Sequence, residues 1–163
     1  IPANLWLFAT MNTSDQNVFT LDTAFQRRWR MKLVNNAFED NHPFKDDEIL
    51  DTNISWQTFC TKINNVISAN GSTLSSMEDK RLGVYFIQRS DLKTDETESP
   101  FADKVLKYLW DDVCKFDKNL IFAEGFDTLE DVIKHFNDHV ESERFGVFNE
   151  SIRTTFYPPP PAP

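Results

Sequence analysis

The sequence predicts an α+β protein that is mostly helical: a strand–helix–strand piece over residues 1–35, a helical domain over 36–157 and a proline-rich tail over 158–163. Three observations predict it. The run NLWLFAT (4–10) is short and continuously apolar, the pattern of a strand buried on both faces. Beyond Asn35 the apolar residues recur mostly at three- and four-residue spacing, as in helices that bury one stripe. Finally, FYPPPPAP (156–163) holds five prolines, and repeated proline excludes helix and imposes an extended polyproline form.

Taken in order, the first strand runs into Asn12 to Asp15, which carry turn and cap chemistry. Leu21, Ala24 and Phe25 repeat at helical spacing, with Asp22 as a cap or first-turn acid. Trp29 to Val34 alternates large and charged residues, which suits a second short strand. Together these form the minimum repeat of an α/β sheet. Residues 44–70 contain a helical pattern through Trp56, Phe59, Ile63, Val66 and Ile67, closed by Asn70-Gly71. LGVYFI (82–87) reads as strand-like, and the acidic, Thr-rich stretch 91–100 as a loop ending in Pro100. The clearest helix spans 101–116, where Phe101, Val105, Leu106, Leu109, Trp110, Val113 and Cys114 fall on one stripe. A further helix is expected from Thr128 to Glu143, carrying Leu129, Val132, Ile133, Phe136 and Val140.

Bulk properties narrow the function. At 163 residues and 40% apolar content, the chain can build one good-sized core or two small ones. No apolar run reaches the ~18–20 residues of a membrane-spanning helix. Cys60 and Cys114 stand far apart without a CxxC pair, which fits reduced thiols and a cytoplasmic location. The chain opens on Ile1 inside what reads as a structural element, so it is expected to be part of a longer protein. A net charge of −9 argues against nucleic-acid binding as a bulk property. The charge is uneven, however: QRRWRMK (26–32) is strongly basic, while 39–51 and 91–103 are acidic. A basic cluster in an acidic protein is suited to an anionic ligand.

Two groups of residues have the chemistry for phosphoryl transfer. Asn12 follows a buried strand, where open α/β folds place ligands, and its amide can donate to a phosphate oxygen and orient a water. Asn12 and Asp15 are equally suited to capping the next helix. Arg27 and Arg28 can complement a helix dipole from solvent, or act as an arginine finger that neutralises charge on a transferred phosphoryl group. His135 and His139 lie four apart but lack the HExxH glutamate, and Asp111-Asp112 are neighbours that point ~100° apart on a helix. Both pairs read as solvated helix faces.

The order and spacing of the first group carry a resemblance. IPANLWLFATMNTSDQNVFTLDTAFQRRW resembles the second half of the AAA+ nucleotidase core of the McrB type, the motor of modified-cytosine restriction systems. Thr10-Met11-Asn12-Thr13, Asp15, Leu21-Asp22, Ala24 and Arg27-Arg28 match that family's signature. KRLGVYFI and FADKVLKYLWDDVCK resemble the family's helical lid more weakly. The resemblance implies that Asn12 is the sensor-1 residue at the γ-phosphate, with Thr13 and Asp15 in the same loop. Arg27 and Arg28 would reach the nucleotide of a neighbouring subunit, and either Arg81 or Lys104 would be the sensor-2 residue of the lid. It also implies GTP or ATP with Mg²⁺ in the parent module, a homo-oligomer (a hexamer), an endonuclease partner subunit and DNA contacts through a separate domain.

Departures from the pattern are Gln16 and Gln26, each in place of an arginine, and Trp29 in place of phenylalanine. The four glycines, Gly71, Gly83, Gly125 and Gly146, form no GxxxxGK[ST], and no apolar strand ends in Asp-Glu. These residues alone are therefore expected neither to hold nucleotide nor to hydrolyse it. The alternative reading is a non-catalytic helical interaction domain with residues 1–34 as an adaptor.

Overall fold

The computed structural model describes residues 2, 4–10, 23–69, 80–93 and 99–159. The chain divides into two units, Ile1–Asn35 and Asn36–Pro163.

In the first unit the only described helix is α1 (Thr23–Gln26), a single turn whose chain continues with the Arg27 N–H bonded to the Thr23 carbonyl. The strands expected over 4–10 and 29–34 are not formed; both stretches run without regular structure. The reason is physical. A strand is completed by a neighbour that accepts and donates along its edge, and its sequence alone does not supply one. Among the described residues, pairing is limited to two isolated antiparallel bridges, Glu48–Ser55 and Phe122–Phe148. The mostly helical character holds, and the strand–helix–strand core is not seen.

The second unit is built on α2 (Trp56–Ala69). Its Trp56, Phe59, Cys60, Ile63 and Ile67 recur at helical spacing and are buried, while Ser55 Oγ accepts from the Thr58 N–H at 3.3 Å to cap it. A helix starting further back at residue 44 is not observed. The chain instead wraps the start of α2, with the Trp56 and Gln57 N–H groups donating to the Asp47 and Lys45 carbonyls.

Residues 82–87 form turns, not a strand. Side-chain amides replace the sheet partner. Asn64 accepts from the Leu82 N–H at 2.7 Å and donates to its carbonyl at 2.9 Å. Asn36 donates to the same carbonyl at 2.9 Å and accepts from the Val84 N–H at 3.0 Å. The Val84 carbonyl then receives Trp56 Nε1 at 2.8 Å. The backbone groups of Leu82 and Val84 are thus met by side chains, and the Phe86 N–H closes a turn onto the Gly83 carbonyl at 2.9 Å.

The helix over residues 100–113 starts at Ser99, whose Oγ accepts from the Ala102 N–H, with Pro100 in the first turn. Two of its segments, Ala102–Leu106 and Leu109–Val113, are π-helical. The apolar spacing explains this. Phe101, Val105, Leu109 and Val113 recur every four residues, as do Ala102, Leu106, Trp110 and Cys114, and all eight are buried. On an α-helix a four-residue step overshoots one turn by about 40°, so the stripe would spiral off the core. Wider π-turns hold it in line.

α3 (Leu129–Asp138) carries a capping box in which Thr128 and Asp131 satisfy each other's backbone N–H. It ends five residues before the expected Glu143. The chain turns at Glu141, which has φ +52°, into a 3₁₀ helix, Glu141–Val147, that delivers Arg144, Phe145 and Val147 to the core. Val140, expected on the buried stripe, is 58% exposed as a result. α4 (Glu150–Phe156), capped by Asn149, was not expected from the sequence; it buries Ile152 and Phe156.

Replacing Asn64 with Ala removes two bonds to Leu82, a fully buried residue. The orphaned N–H should cost about 1–3 kcal/mol, read as a lower urea midpoint at unchanged slope.

Candidate functional site

Of the residues singled out for phosphoryl transfer, Asn12, Thr13 and Asp15 lie outside the described residues. Arg27 and Arg28 occupy the turn that follows α1, and both are exposed, as are Arg30 and Lys32. Their unit also carries the largest exposed apolar side chains of the chain's opening stretch: Leu5 is 51% exposed, Trp6 79%, Leu7 64% and Phe8 90%. Successive residues expose alike, so neither side of this run is covered.

The two lid candidates lie in the second unit. Arg81 is half-buried at the entrance to the 82–87 turns. Lys104, in the first π-segment, donates to Asp91 at 3.1 Å. Asp91 closes the 3₁₀ helix Arg89–Leu92 by accepting from the Gln88 N–H. Burial alone would raise the Asp91 carboxyl; the Gln88 N–H and Lys104 outweigh it and hold it below the usual carboxylate range. Lys104 would have to exchange this partner to meet a phosphate.

A cavity of about 630 Å³ in the second unit is lined by Asp46, Asp47, Glu48, Leu50, Asp51, Leu92, Lys93 and Arg144. Two guanidinium–carboxylate forks frame it. Arg89 donates to Asp47 through Nε at 2.6 Å and Nη2 at 3.0 Å, and this bond keeps the Asp47 carboxyl below its ordinary pKa. Arg144 donates to Asp51 at 2.5 and 3.4 Å and to the Phe136 carbonyl at 2.6 Å, near the end of α3. Burial pushes Asp51 up, but the Arg144 bond and the Glu141 N–H more than offset it, so its carboxyl also titrates low. Leu50 and Asn53 flank Asp51 in left-handed backbone, at φ +53° and +58°. No local pattern marks this site, because Asp51 and Arg144 are 93 residues apart.

Other groups are accounted for by structure. His135 and His139 stack at 3.9 Å; His135 meets the Glu143 carbonyl and His139 the His135 carbonyl. Burial and then the neighbouring His139 lower the His135 pKa. Among the described residues no group of three or more His, Cys, Asp or Glu is placed to hold a metal ion. Burial pushes the Cys60 and Cys114 thiols up to about 12, which leaves both as inert core side chains. No helix among the described residues is long and apolar enough to cross a membrane.

What the fold defines is a small helical domain with an aromatic core, joined to a stretch whose apolar side chains have no cover. No family model and no solved structure matches the chain. It is 31% identical over 160 residues to the type II restriction enzyme BsuMI component YdiS of Bacillus subtilis (strain 168). That match takes in 93% of this chain and 43% of the relative, so the chain spans less than half the length of the curated relative it matches.

The Arg144–Asp51 fork makes stability depend on pH with a definite sign. The folded Asp51 pKa lies below the ordinary 3.8, so its contribution is present above that value and is lost as pH falls through the folded pKa. Asp51→Asn should therefore destabilise the protein at pH 7 and cease to matter in strong acid. The Asp51 side chain is 41% exposed, so solvent screening holds the loss to about 1–2 kcal/mol. Urea unfolding of both proteins from pH 7 to pH 2 should show the two stability curves converging.

Proposed function

We propose that these residues are the sensor, arginine-finger and lid part of an AAA+ nucleotidase of the McrB type that drives a restriction complex. The observation that carries the reading is the 31% match, over nearly the whole chain, to a component of a type II restriction enzyme. The signature TMNTSD…LDTAFQRR supplies the nucleotidase part of it.

In this reading Asn12 orients the attacking water or meets the γ-phosphate, within a loop shared with Thr13 and Asp15. Arg27 and Arg28 enter the site of a neighbouring subunit, where a guanidinium fork neutralises charge on the transferred phosphoryl group. Their exposure in the turn that follows α1 supports a role outside their own unit. Arg81 or Lys104 senses the nucleotide from the lid. GTP or ATP with Mg²⁺ is held by phosphate-binding and acidic strands that these 163 residues do not contain. The partners are further copies in a hexamer, an endonuclease subunit and DNA bound through another domain, in the cytoplasm.

The exposed 4–10 run supports the same reading. An apolar run bare on both sides fits a strand in the middle of a sheet with helices on each face, which is the architecture of an α/β nucleotidase. A one-sided partner would leave half of Leu5, Trp6, Leu7 and Phe8 in water.

In the full-length protein, Arg27→Ala or Arg28→Ala should lower kcat by about 10³-fold or more, with a smaller change in nucleotide affinity. Near-normal turnover in both variants would overturn the finger assignment. It would then favour a non-catalytic interaction domain, a reading to which Gln16 and Gln26 also point.

A further inference from the structure

The two units differ in the sign of their charge. Residues 1–35 carry four basic and two acidic side chains, and residues 36–163 carry 13 and 24, of the 17 and 26 in all. The basic groups of the first unit are concentrated in one stretch, where Arg27, Arg28, Arg30 and Lys32 are all exposed. The second unit concentrates negative charge on the wall of the cavity near Asp51.

Within that wall the carboxylates are unequal. Asp47 and Asp51 are each matched by an arginine of their own unit. Asp46 and Glu48 are exposed and form no ion pair among the described residues. Lys93 is a further cation in the lining, and its apolar members are Leu92, buried, and Leu50, half-buried. A cavity lined by two leucines and by two carboxylates without an ion pair among the described residues accommodates a long side chain with an aliphatic stem and a cationic head.

We infer that this wall is the docking surface for the basic stretch of a second copy of the chain, with Arg30 and Lys32 set against Asp46 and Glu48. The contact joins unlike surfaces, the first unit of one copy and the second unit of the next. It is therefore head-to-tail and builds a ring or an open row, not a two-fold dimer. It leaves Arg27 and Arg28 available to the nucleotide. The contact names a surface for the oligomer proposed above. Its test reads association without nucleotide, so the two readings fail separately.

The experiment is sedimentation velocity on the whole chain and on two charge-reversed variants. One carries Arg30→Glu and Lys32→Glu; the other carries Asp46→Lys and Glu48→Lys. All four positions are exposed, and far-UV circular dichroism checks that each variant is folded. The unmodified chain should associate at low salt and dissociate toward 1 M salt, where the screening length is about 3 Å. Association through the apolar 4–10 run would change in the opposite direction with a salting-out anion, since burial of apolar surface is then strengthened.

Each variant alone should lose the salt-sensitive association, because the four contact positions then all carry one sign. An equimolar mixture should regain it, since each variant supplies the surface that the other lacks. A mixture that stays monomeric overturns the inference. So does a single variant that associates like the unmodified chain, or a chain that is monomeric at every salt concentration. The last outcome would assign the basic stretch to an anionic ligand or to its own chain.

Discussion

The ring of Phe59 is the contact on which the second unit depends. It is fully buried on α2 and meets aromatic side chains of the 100–113 helix, the 141–147 helix and α4. It stacks on Trp56 and Phe156 at 6.1 and 5.6 Å, and sets its edge or face to Phe101 and Phe145 at 5.3 and 5.9 Å. These partners belong to α2, α4, the 100–113 helix and the 141–147 helix. Edge-to-face contacts fix angle as well as distance, so one side chain of α2 orients three other helical pieces whose backbones share no ladder. Phe136, Phe148 and Phe122 extend the same network toward α3 and Trp110. Seven of the fifteen phenylalanines form this network.

A core of that kind leaves a second demand. Chain that is neither helix nor strand must still satisfy its buried N–H and carbonyl groups, and here side chains do so. Asn36 and Asn64 pair with Leu82 and Val84, and Asn149 caps α4 while donating to the Asn119 and Leu120 carbonyls. Tyr157 donates to the Thr52 carbonyl at 2.6 Å and ties the end of α4 to the loop before α2. His42 meets the Val84 carbonyl at 3.1 Å, and its Nδ1 faces the Phe44 N–H, so both ring nitrogens are engaged. Asparagine is abundant here because one short amide can stand in for a strand edge from either direction.

This explains what the sequence did and did not disclose. α2, the 100–113 helix and the start of α3 were legible because an amphipathic stripe is a local property, and a capping box marks the start of α3. LGVYFI misled because apolar β-branched residues look alike in a strand and in a turn held by distant amides. NLWLFAT misled for the complementary reason: its pattern describes a partner that the chain does not supply. The π-segments were present as an unbroken four-residue repeat, a signal that a search for 3.6 periodicity blurs. α4 has a cap at Asn149 and an Ile152–Phe156 pair, a signal of only seven residues set directly before the proline tail. The Asp51–Arg144 fork could not be read at all, because nothing local links two charges so far apart in sequence. Of the signature residues, Arg27 and Arg28 are seen exposed, while the Asn12 loop lies outside the described residues.

Two features of the first unit are costly to leave bare in water. Leu5 to Phe8 expose apolar surface on successive residues, and four cations crowd within six positions of one another. The second unit differs: it has an aromatic core, arginine forks at Asp47 and Asp51, and, among the described residues, no ion pair at Asp46 or Glu48. A domain that needed nothing further would have no reason to keep both kinds of open valence. The apolar run is bare on successive residues, so cover on one side would leave half of it in water. The cations ask for negative charge that approaches from outside, from a phosphate, from a second copy, or from both at different arginines. Because the two demands fall on separate residues, 4–10 and 27–32, they can be met at the same time by different partners.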